Sequence, residues 1–110
     1  MRPRALASPR VTLLALLLAL TGCKARIALE VESEPSGANV FVNDELVGQT
    51  PTGVLILELP KDDPTAAITL EKLDWKPLTM LITFARPHET EEAARADVNR
   101  YKLTLQPRPQ

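Results

Sequence analysis

The sequence is poor in cysteine, histidine and aromatic residues. Its 110 residues include one cysteine and one histidine, and aromatic residues make up 4% of the chain. A lone cysteine excludes an internal disulfide bond and, in an exported chain, needs another explanation. The chain also lacks a basic stripe with interleaved aromatic residues, so we expect no nucleic-acid partner.

The chain is too short for more than one domain. Its formal net charge is −1, but this value is the sum of two oppositely charged regions. Three of the 13 basic residues and none of the 14 acidic residues lie within residues 1–22, so residues 23–110 carry a charge of −4. An acidic surface repels phosphate backbones, which again argues against nucleic-acid binding.

Residues 1–22 have the three parts of an export signal. Three arginines form a cationic start, residues 11–20 form an apolar run, and small residues at 21 and 22 precede Cys23. The run has about half of the roughly 20 apolar residues that a membrane-spanning helix needs. The sequence therefore predicts a cleaved signal peptide over residues 1–22.

The sequence Leu-Thr-Gly-Cys at residues 20–23 resembles the bacterial lipobox. The resemblance implies cleavage between Gly22 and Cys23 and attachment of acyl chains, such as palmitate, to Cys23. At about 0.8 kcal/mol per buried methylene, these chains would anchor the protein in a membrane. Lys24 is not the aspartate that favours retention at an inner membrane, so the resemblance favours the outer membrane, facing the periplasm or the exterior. The alternative is an ordinary secretory signal followed by an unrelated cysteine.

The remaining chain alternates between apolar and polar residues in short segments, the period of half-buried strands. Prolines and glycines separate these segments, as expected for turns. Residues 54–59 are apolar on both faces until Glu58 and predict a central or well-covered strand. The predicted strands lie within residues 27–31, 40–42, 46–48, 54–59, 68–70, 78–84 and 101–105.

Residues 86–97 lack the strand period, and the pair Glu91 and Arg95 favours a short helix. The sequence therefore predicts an all-β domain of about seven short strands with a helical excursion before the last one. This pattern is typical of a small Ig-like or prealbumin-like β-sandwich. We assign residues 23–26 to a lipidated tether, residues 27–105 to the domain and residues 106–110 to a polar tail.

Two short motifs resemble those of a known family. Residues 33–43 read Ser-x-Pro-x-Gly-Ala followed by Asn-Val-Phe-Val-Asn, and residues 48–51 read Gly-Gln-Thr-Pro. In this order and at this spacing they resemble the PEGA domain, a bacterial extracytoplasmic β-module. The resemblance covers residues 29–105, including Asp74-Trp75 and the closing segment 101–105. The motif residues at its turns are Pro35, Gly37, Ala38, Gly48, Thr50 and Pro51.

These motif residues also have physical roles in turns. Gly37 supplies backbone freedom in a tight turn, Gly48 closes a hairpin, and Pro51 sets an extended connection into the next strand. Asp44 and Asp74 stand where the family usually has glycine. An aspartate at position 44 is tolerated in a left-handed turn.

The resemblance implies a binding or surface-layer module that is often appended to lipoproteins and membrane-anchored kinases. No catalytic residues define this module, so we expect no enzyme activity and no cofactor. The expected partners are a membrane, through the acyl chains of Cys23, and another envelope protein or a cell-wall polymer.

Few residues are candidates for reactive or metal chemistry. His88 would act as a general base only beside a suitable partner, and a solvated loop residue is the simpler interpretation. Asp62, Asp63 and Asp74 lack the spacing of a calcium loop, so we expect no metal site.

Two aromatic residues are candidates for ligand contact. Trp75 either stacks on a sugar or peptide or fills one end of the sandwich. Phe41 is out of phase with its valine neighbours, so we expect it on the second side of its sheet, where a shallow contact surface would lie. The acidic residues of 89–92 predict a solvated face or a partner-docking helix. The function hypotheses are a tethered interaction module and, alternatively, a carbohydrate-binding module around Trp75.

Overall fold

The computed structural model describes residues 24–109. The predicted signal peptide, the cleavage site at Gly22 and the lipidated Cys23 lie outside the described residues, as does the last residue of the tail.

The described chain folds into seven strands and one short helix. The strands are β1 (Lys24–Glu34), β2 (Asn39–Val42), β3 (Glu45–Gln49), β4 (Leu55–Pro60), β5 (Thr65–Glu71), β6 (Leu78–Thr83) and β7 (Asn99–Thr104), and the helix is α1 (Glu91–Arg95). The prediction of an all-β domain with a helical excursion before the last strand is therefore confirmed. The finer Ig-like or prealbumin-like assignment stays a prediction.

The strands form two sheets. Sheet A has the order β4-β1-β7, with β1 antiparallel to β4 and parallel to β7. Sheet B has the order β3-β2-β5-β6 and is antiparallel throughout. Because side chains of both sheets form one core, the arrangement is a sandwich. The largest fully buried side chains are Ile27, Leu29, Val31, Val40, Ile68 and Leu70.

Of the two alternatives for residues 54–59, the central strand is wrong and the well-covered strand agrees with the structure. Strand β4 lies at the edge of sheet A, and β1 lies at its centre. Ile56 pairs with Ala28 on the outer face of this sheet, where helix α1 packs against β1 and β4. The helix gives the outer face of this edge strand an apolar neighbour, so an apolar side chain there does not require a central position.

Helix α1 is short but has polar groups at both ends. The side-chain oxygen of Thr90 accepts a hydrogen bond from the amide of Ala93, which caps the helix start. Arg95 in the last turn lies 3.4 Å from Glu91, the pair that predicted the helix. Ala94 is fully buried, so the helix covers sheet A with a small side chain.

Strand β6 contains the regular apolar stripe of residues 78–84. Leu78, Met80 and Ile82 share the inner face of the strand but are half-buried, and Phe84 just beyond it is buried. The three residues of β6 are only half-buried because β6 is an edge strand with a neighbouring strand on one side only.

Both ends of the described chain are paired with the domain. Lys24 and Ala25, in the predicted tether, already pair with Pro60 and Leu59. In the predicted tail, the amide of Lys76 donates to the carbonyl of Gln106 at 2.8 Å. Within residues 24–109, the one helix is far shorter than a membrane crossing requires.

Candidate functional site

The family-like motif residues meet in one buried polar cluster. The amide of Ala38 donates to Oγ1 of Thr50 at 3.0 Å, and Oγ of Ser33 donates to the carbonyl of Pro35 at 2.7 Å. The two hydroxyl oxygens of Ser33 and Thr50 lie 2.6 Å apart. Since the hydroxyl hydrogen of Ser33 is directed at Pro35, Thr50 donates to Ser33. The cluster is thus a directed chain of hydrogen bonds between the two motifs.

Backbone bonds strengthen the same connection. The amide of Gly37 donates to the carbonyl of Thr50 at 2.8 Å, and the amide of Thr50 donates to the carbonyl of Ala38 at 2.9 Å. The peptide bonds that precede Pro35 and Pro51 are cis. The motif residues therefore have a structural role in this part of the fold.

The left-handed positions of the backbone occur in the turns. Gly37 has a φ of 84°, and Asp44 and Asp74 have φ values of 69° and 73°. Asp44 and Asp74, which stand where the resemblance predicts glycine, thus adopt a backbone conformation that is easier for glycine than for other residues. Gly48 lies in β3 opposite Val40, away from the hairpin turn at Asn43 and Asp44, and its φ is not positive.

Trp75 lies at the end of the sandwich where β1 finishes. Its side chain is half-buried and packs against the core, which agrees with the plug interpretation. It also lines an open depression of about 290 Å³ together with Leu73, Pro77 and Arg108. Leu73 is 87% exposed, so this end also presents an apolar side chain to solvent.

A second surface lies on the outer face of sheet B, and we call it the uncharged face. Phe41 is half-buried there and pairs with Leu46 of β3 and Thr69 of β5. Leu81 of β6 belongs to the same face and is 76% exposed, and Leu46 is 58% exposed. Its middle consists of Phe41, Leu46, Ala67, Thr69, Thr79 and Leu81.

Two pairs of threonines connect the strands across this face. The hydroxyl oxygens of Thr69 and Thr79 lie 3.0 Å apart, and those of Thr65 and Thr83 lie 2.8 Å apart. These hydroxyls partner each other across β5 and β6, so the face combines satisfied polar groups with exposed leucines. Such a surface loses little polar hydration when a flat partner covers it.

His88 is part of a small ionic cluster. Its Nε2 lies 3.0 Å from Oδ2 of Asp97, and Arg86 reaches Oδ1 of the same carboxylate at 3.1 Å. His88 is half-buried because its backbone pairs with Arg26 of β1. Asp97 is thus the shared partner of His88 and Arg86. The hydroxyl of Thr90, two residues after His88 in the sequence, accepts a hydrogen bond from the amide of Ala93 as the cap of α1. This geometry holds the loop before α1 against sheet A.

The three aspartates considered for calcium do not meet. Asp62 and Asp63 precede β5 and Asp74 follows it, so they lie at opposite ends of a seven-residue strand. Asp63 also accepts a hydrogen bond from the hydroxyl of Thr65 at 2.8 Å. Among residues 24–109, no group of three histidine, cysteine, aspartate or glutamate side chains is placed to hold a metal ion.

The sequence did not reveal several contacts of these sites. Thr50 was predicted as a turn residue, but its hydrogen bond to Ser33 in the core, with 2.6 Å between the two hydroxyl oxygens, was not predicted. Thr52 was also missed. Its hydroxyl accepts a hydrogen bond from the amide of Val31 at 3.0 Å, just beyond the residues of β1 that pair with β4. Leu46 and Leu81 lie out of phase with the apolar stripes, which was the available signal for the uncharged face.

Comparison with known proteins agrees with the motifs. Residues 26–93 match the PEGA domain family. A search of curated proteins and a search of solved structures each found no match. The matched region covers more than half of the chain, from β1 into helix α1. By this match and by the motifs joined through Ser33 and Thr50, the chain belongs to the PEGA domain family.

Proposed function

We propose that this protein is a lipid-anchored envelope lipoprotein whose PEGA domain binds another envelope protein or a cell-wall polymer. Family membership identifies the domain as a non-enzymatic module. The lipobox-like residues 20–23 supply the anchor, and the uncharged face supplies the contact surface. The observation that carries the binding role is the pair of leucines, Leu46 and Leu81, exposed on a face without charges in its middle.

The anchor is tested by metabolic labelling with an alkynyl fatty acid. We expect label in the wild-type protein and none in Cys23→Ser, because the thiol is the acceptor. Leu81→Ser serves as the control, since it makes a serine substitution on the folded surface and leaves the lipobox intact. Equal labelling of wild type and Cys23→Ser would remove the lipoprotein proposal.

The proposed membrane is the outer one, because Lys24 follows Cys23. Lys24 is exposed at the start of β1 and pairs with Pro60 of β4, so an aspartate at this position leaves the core untouched. We expect Lys24→Asp to move the protein to the inner-membrane fraction in a fractionation experiment. Lys24→Ser is the control and stays with the outer membrane. An unchanged distribution for Lys24→Asp would contradict this placement.

The contact surface is tested by photo-crosslinking in cells. A photoreactive residue at Leu81 should give a defined adduct, and the same residue at Thr104 should not, since Thr104 lies on the outer face of sheet A. Leu46→Glu should abolish the adduct, because it places a charge opposite Phe41. Adducts that persist in Leu46→Glu would show that the uncharged face does not carry the interaction.

A second candidate function is carbohydrate binding, and the depression beside Trp75 favours it. An aromatic ring, an exposed leucine and a basic side chain at the rim suit the mixed apolar and polar surface of a sugar. Trp75 is the only tryptophan, so its fluorescence reports on this site directly. A saturable change on adding cell-wall glycan fragments, weakened in Arg108→Ala and kept in Leu81→Ala, would support this function.

A further inference from the structure

The first residues of β1 are fixed on both sides. Lys24 and Ala25 pair with Pro60 and Leu59 of β4, and Ala25 is 1% exposed. On the other side of β1, the amide of Arg26 donates to the carbonyl of His88 at 2.6 Å, and the amide of His88 donates to the carbonyl of Arg26 at 3.0 Å. The chain is therefore part of the folded sheet from Lys24 onward.

One peptide bond separates Lys24 from Cys23. Consecutive Cα atoms lie about 3.8 Å apart, so a lipidated Cys23 has no length of chain with which to hold the sheet away from the lipid. We propose, resting on the lipid anchor proposed above, that the domain sits directly on the bilayer surface by the end at which β1 begins. The surface that meets the lipid headgroups, the basal end, consists of Lys24 and residues 60–64 and 85–89.

The charges at the basal end suit a lipid surface. Lys61 lies 3.1 Å from Glu89, and Arg26 lies 3.7 Å from Glu58 beside this end. Arg86 is likewise paired with Asp97 at 3.1 Å. Because the basal end carries three basic and three acidic side chains, it is neither attracted to nor repelled by headgroups of one charge. The short connection to the anchor, rather than electrostatic attraction, sets the orientation.

The orientation decides which surfaces remain free. Strand β1 has 11 residues, so at about 3.3 Å per residue it spans roughly 35 Å. Its far end meets the last strand where the amide of Leu105 donates to the carbonyl of Glu34, and Gln106 continues to the Trp75 loop. The depression beside Trp75 therefore points away from the membrane. The uncharged face stands along the side of the domain.

The test measures the distance of two labels from the bilayer. Asp62, at the basal end, and Leu73, at the far end, are both exposed and outside the core. Each is replaced by cysteine in the lipidated protein, where the thiol of Cys23 is consumed, and labelled with a fluorophore. The protein is reconstituted in phosphatidylethanolamine and phosphatidylglycerol vesicles that contain headgroup nitroxide lipids.

We expect the label in Asp62→Cys to be quenched several-fold more than the label in Leu73→Cys. A ten-residue glycine and serine linker inserted between Cys23 and Lys24 has a root-mean-square length of roughly 16–19 Å. This linker should reduce the difference in quenching between the two labels, and such a reduction would support direct seating.

The two proposals fail in different ways. Vesicle-bound protein with equal quenching of both labels overturns direct seating and leaves the lipid anchor standing. Protein that carries no acyl chain and does not stay with the vesicles overturns the anchor and the seating together.

Discussion

Ser33 and Thr50 are the buried polar side chains of the described core, at 6% and 4% exposure. A buried hydroxyl lowers stability unless its hydrogen-bonding groups find partners. Here each hydroxyl both donates and accepts, from the Ala38 amide through Thr50 and Ser33 to the Pro35 carbonyl. The serine of the first motif and the threonine of the second are therefore needed as a pair.

The first prediction concerns Thr50. Thr50→Val keeps the side-chain shape but leaves the buried amide of Ala38 without its hydroxyl acceptor and Ser33 without its donor. Such groups cost about 1–3 kcal/mol, and we expect a loss of this size in urea unfolding. Thr104→Val, on an exposed position of β7, is the control and should change stability by no more than about 0.5 kcal/mol. Similar losses in both variants would contradict the hydrogen-bond chain.

The second prediction concerns the left-handed backbone at Asp74. Its φ of 73° disfavours β-branched residues, for which the left-handed region costs roughly 1–2 kcal/mol. We expect Asp74→Val to lower the free energy of unfolding by about this much. Asp74→Gly should introduce no backbone strain and therefore no such loss. Asp62→Val is the control, because Asp62 is exposed and its φ is not positive. Thermal unfolding of the three variants checks this order, and equal midpoints for the valine and glycine variants at 74 would contradict it.

At the scale of elements, periodicity predicted the strands well because it records which side chains are buried. The alternation of residues 27–31, 68–70 and 101–105 marks strands in both sheets. Periodicity does not record which strands are neighbours. The edge position of β4 and the parallel pairing of β1 with β7 depend on contacts between distant residues, so the sequence pattern did not show them.

Helix α1 gives the third prediction. Ala94 is fully buried where the helix meets sheet A, and its neighbour Ala93 is exposed. Leucine and alanine both favour helices, so replacing either alanine changes mainly the packing. We expect Ala94→Leu to cost about 1–3 kcal/mol through overpacking and Ala93→Leu to cost less than about 0.5 kcal/mol in urea unfolding. Equal effects would show that the helix does not pack tightly on the sheet.

At the scale of the whole molecule, the candidate surfaces were only partly predictable. The phase of Phe41 in its strand indicated a second side of the sheet, but the neighbours that make it a surface, Leu46 and Leu81, come from other strands. Of the two interpretations of Trp75, a ligand contact and a residue that fills one end of the sandwich, the second agrees with its position and packing. Its contact with the segment after Leu105 was not predictable, because isolated backbone bonds leave no side-chain period.

That contact gives the last prediction. The carbonyl of Gln106 accepts a hydrogen bond from the amide of Lys76 at 2.8 Å, and the amide of Arg108 donates to the carbonyl of Asp74 at 3.1 Å. These bonds connect the chain leaving sheet A to the loop that enters β6 of sheet B. Ending the chain after Leu105 removes both, so we expect a red shift of Trp75 fluorescence and a loss of about 1–3 kcal/mol in urea unfolding. Ending it after Arg108 keeps both bonds and should leave the emission unchanged. If both truncations leave Trp75 emission and stability at wild-type values, the tail does not hold the Trp75 loop.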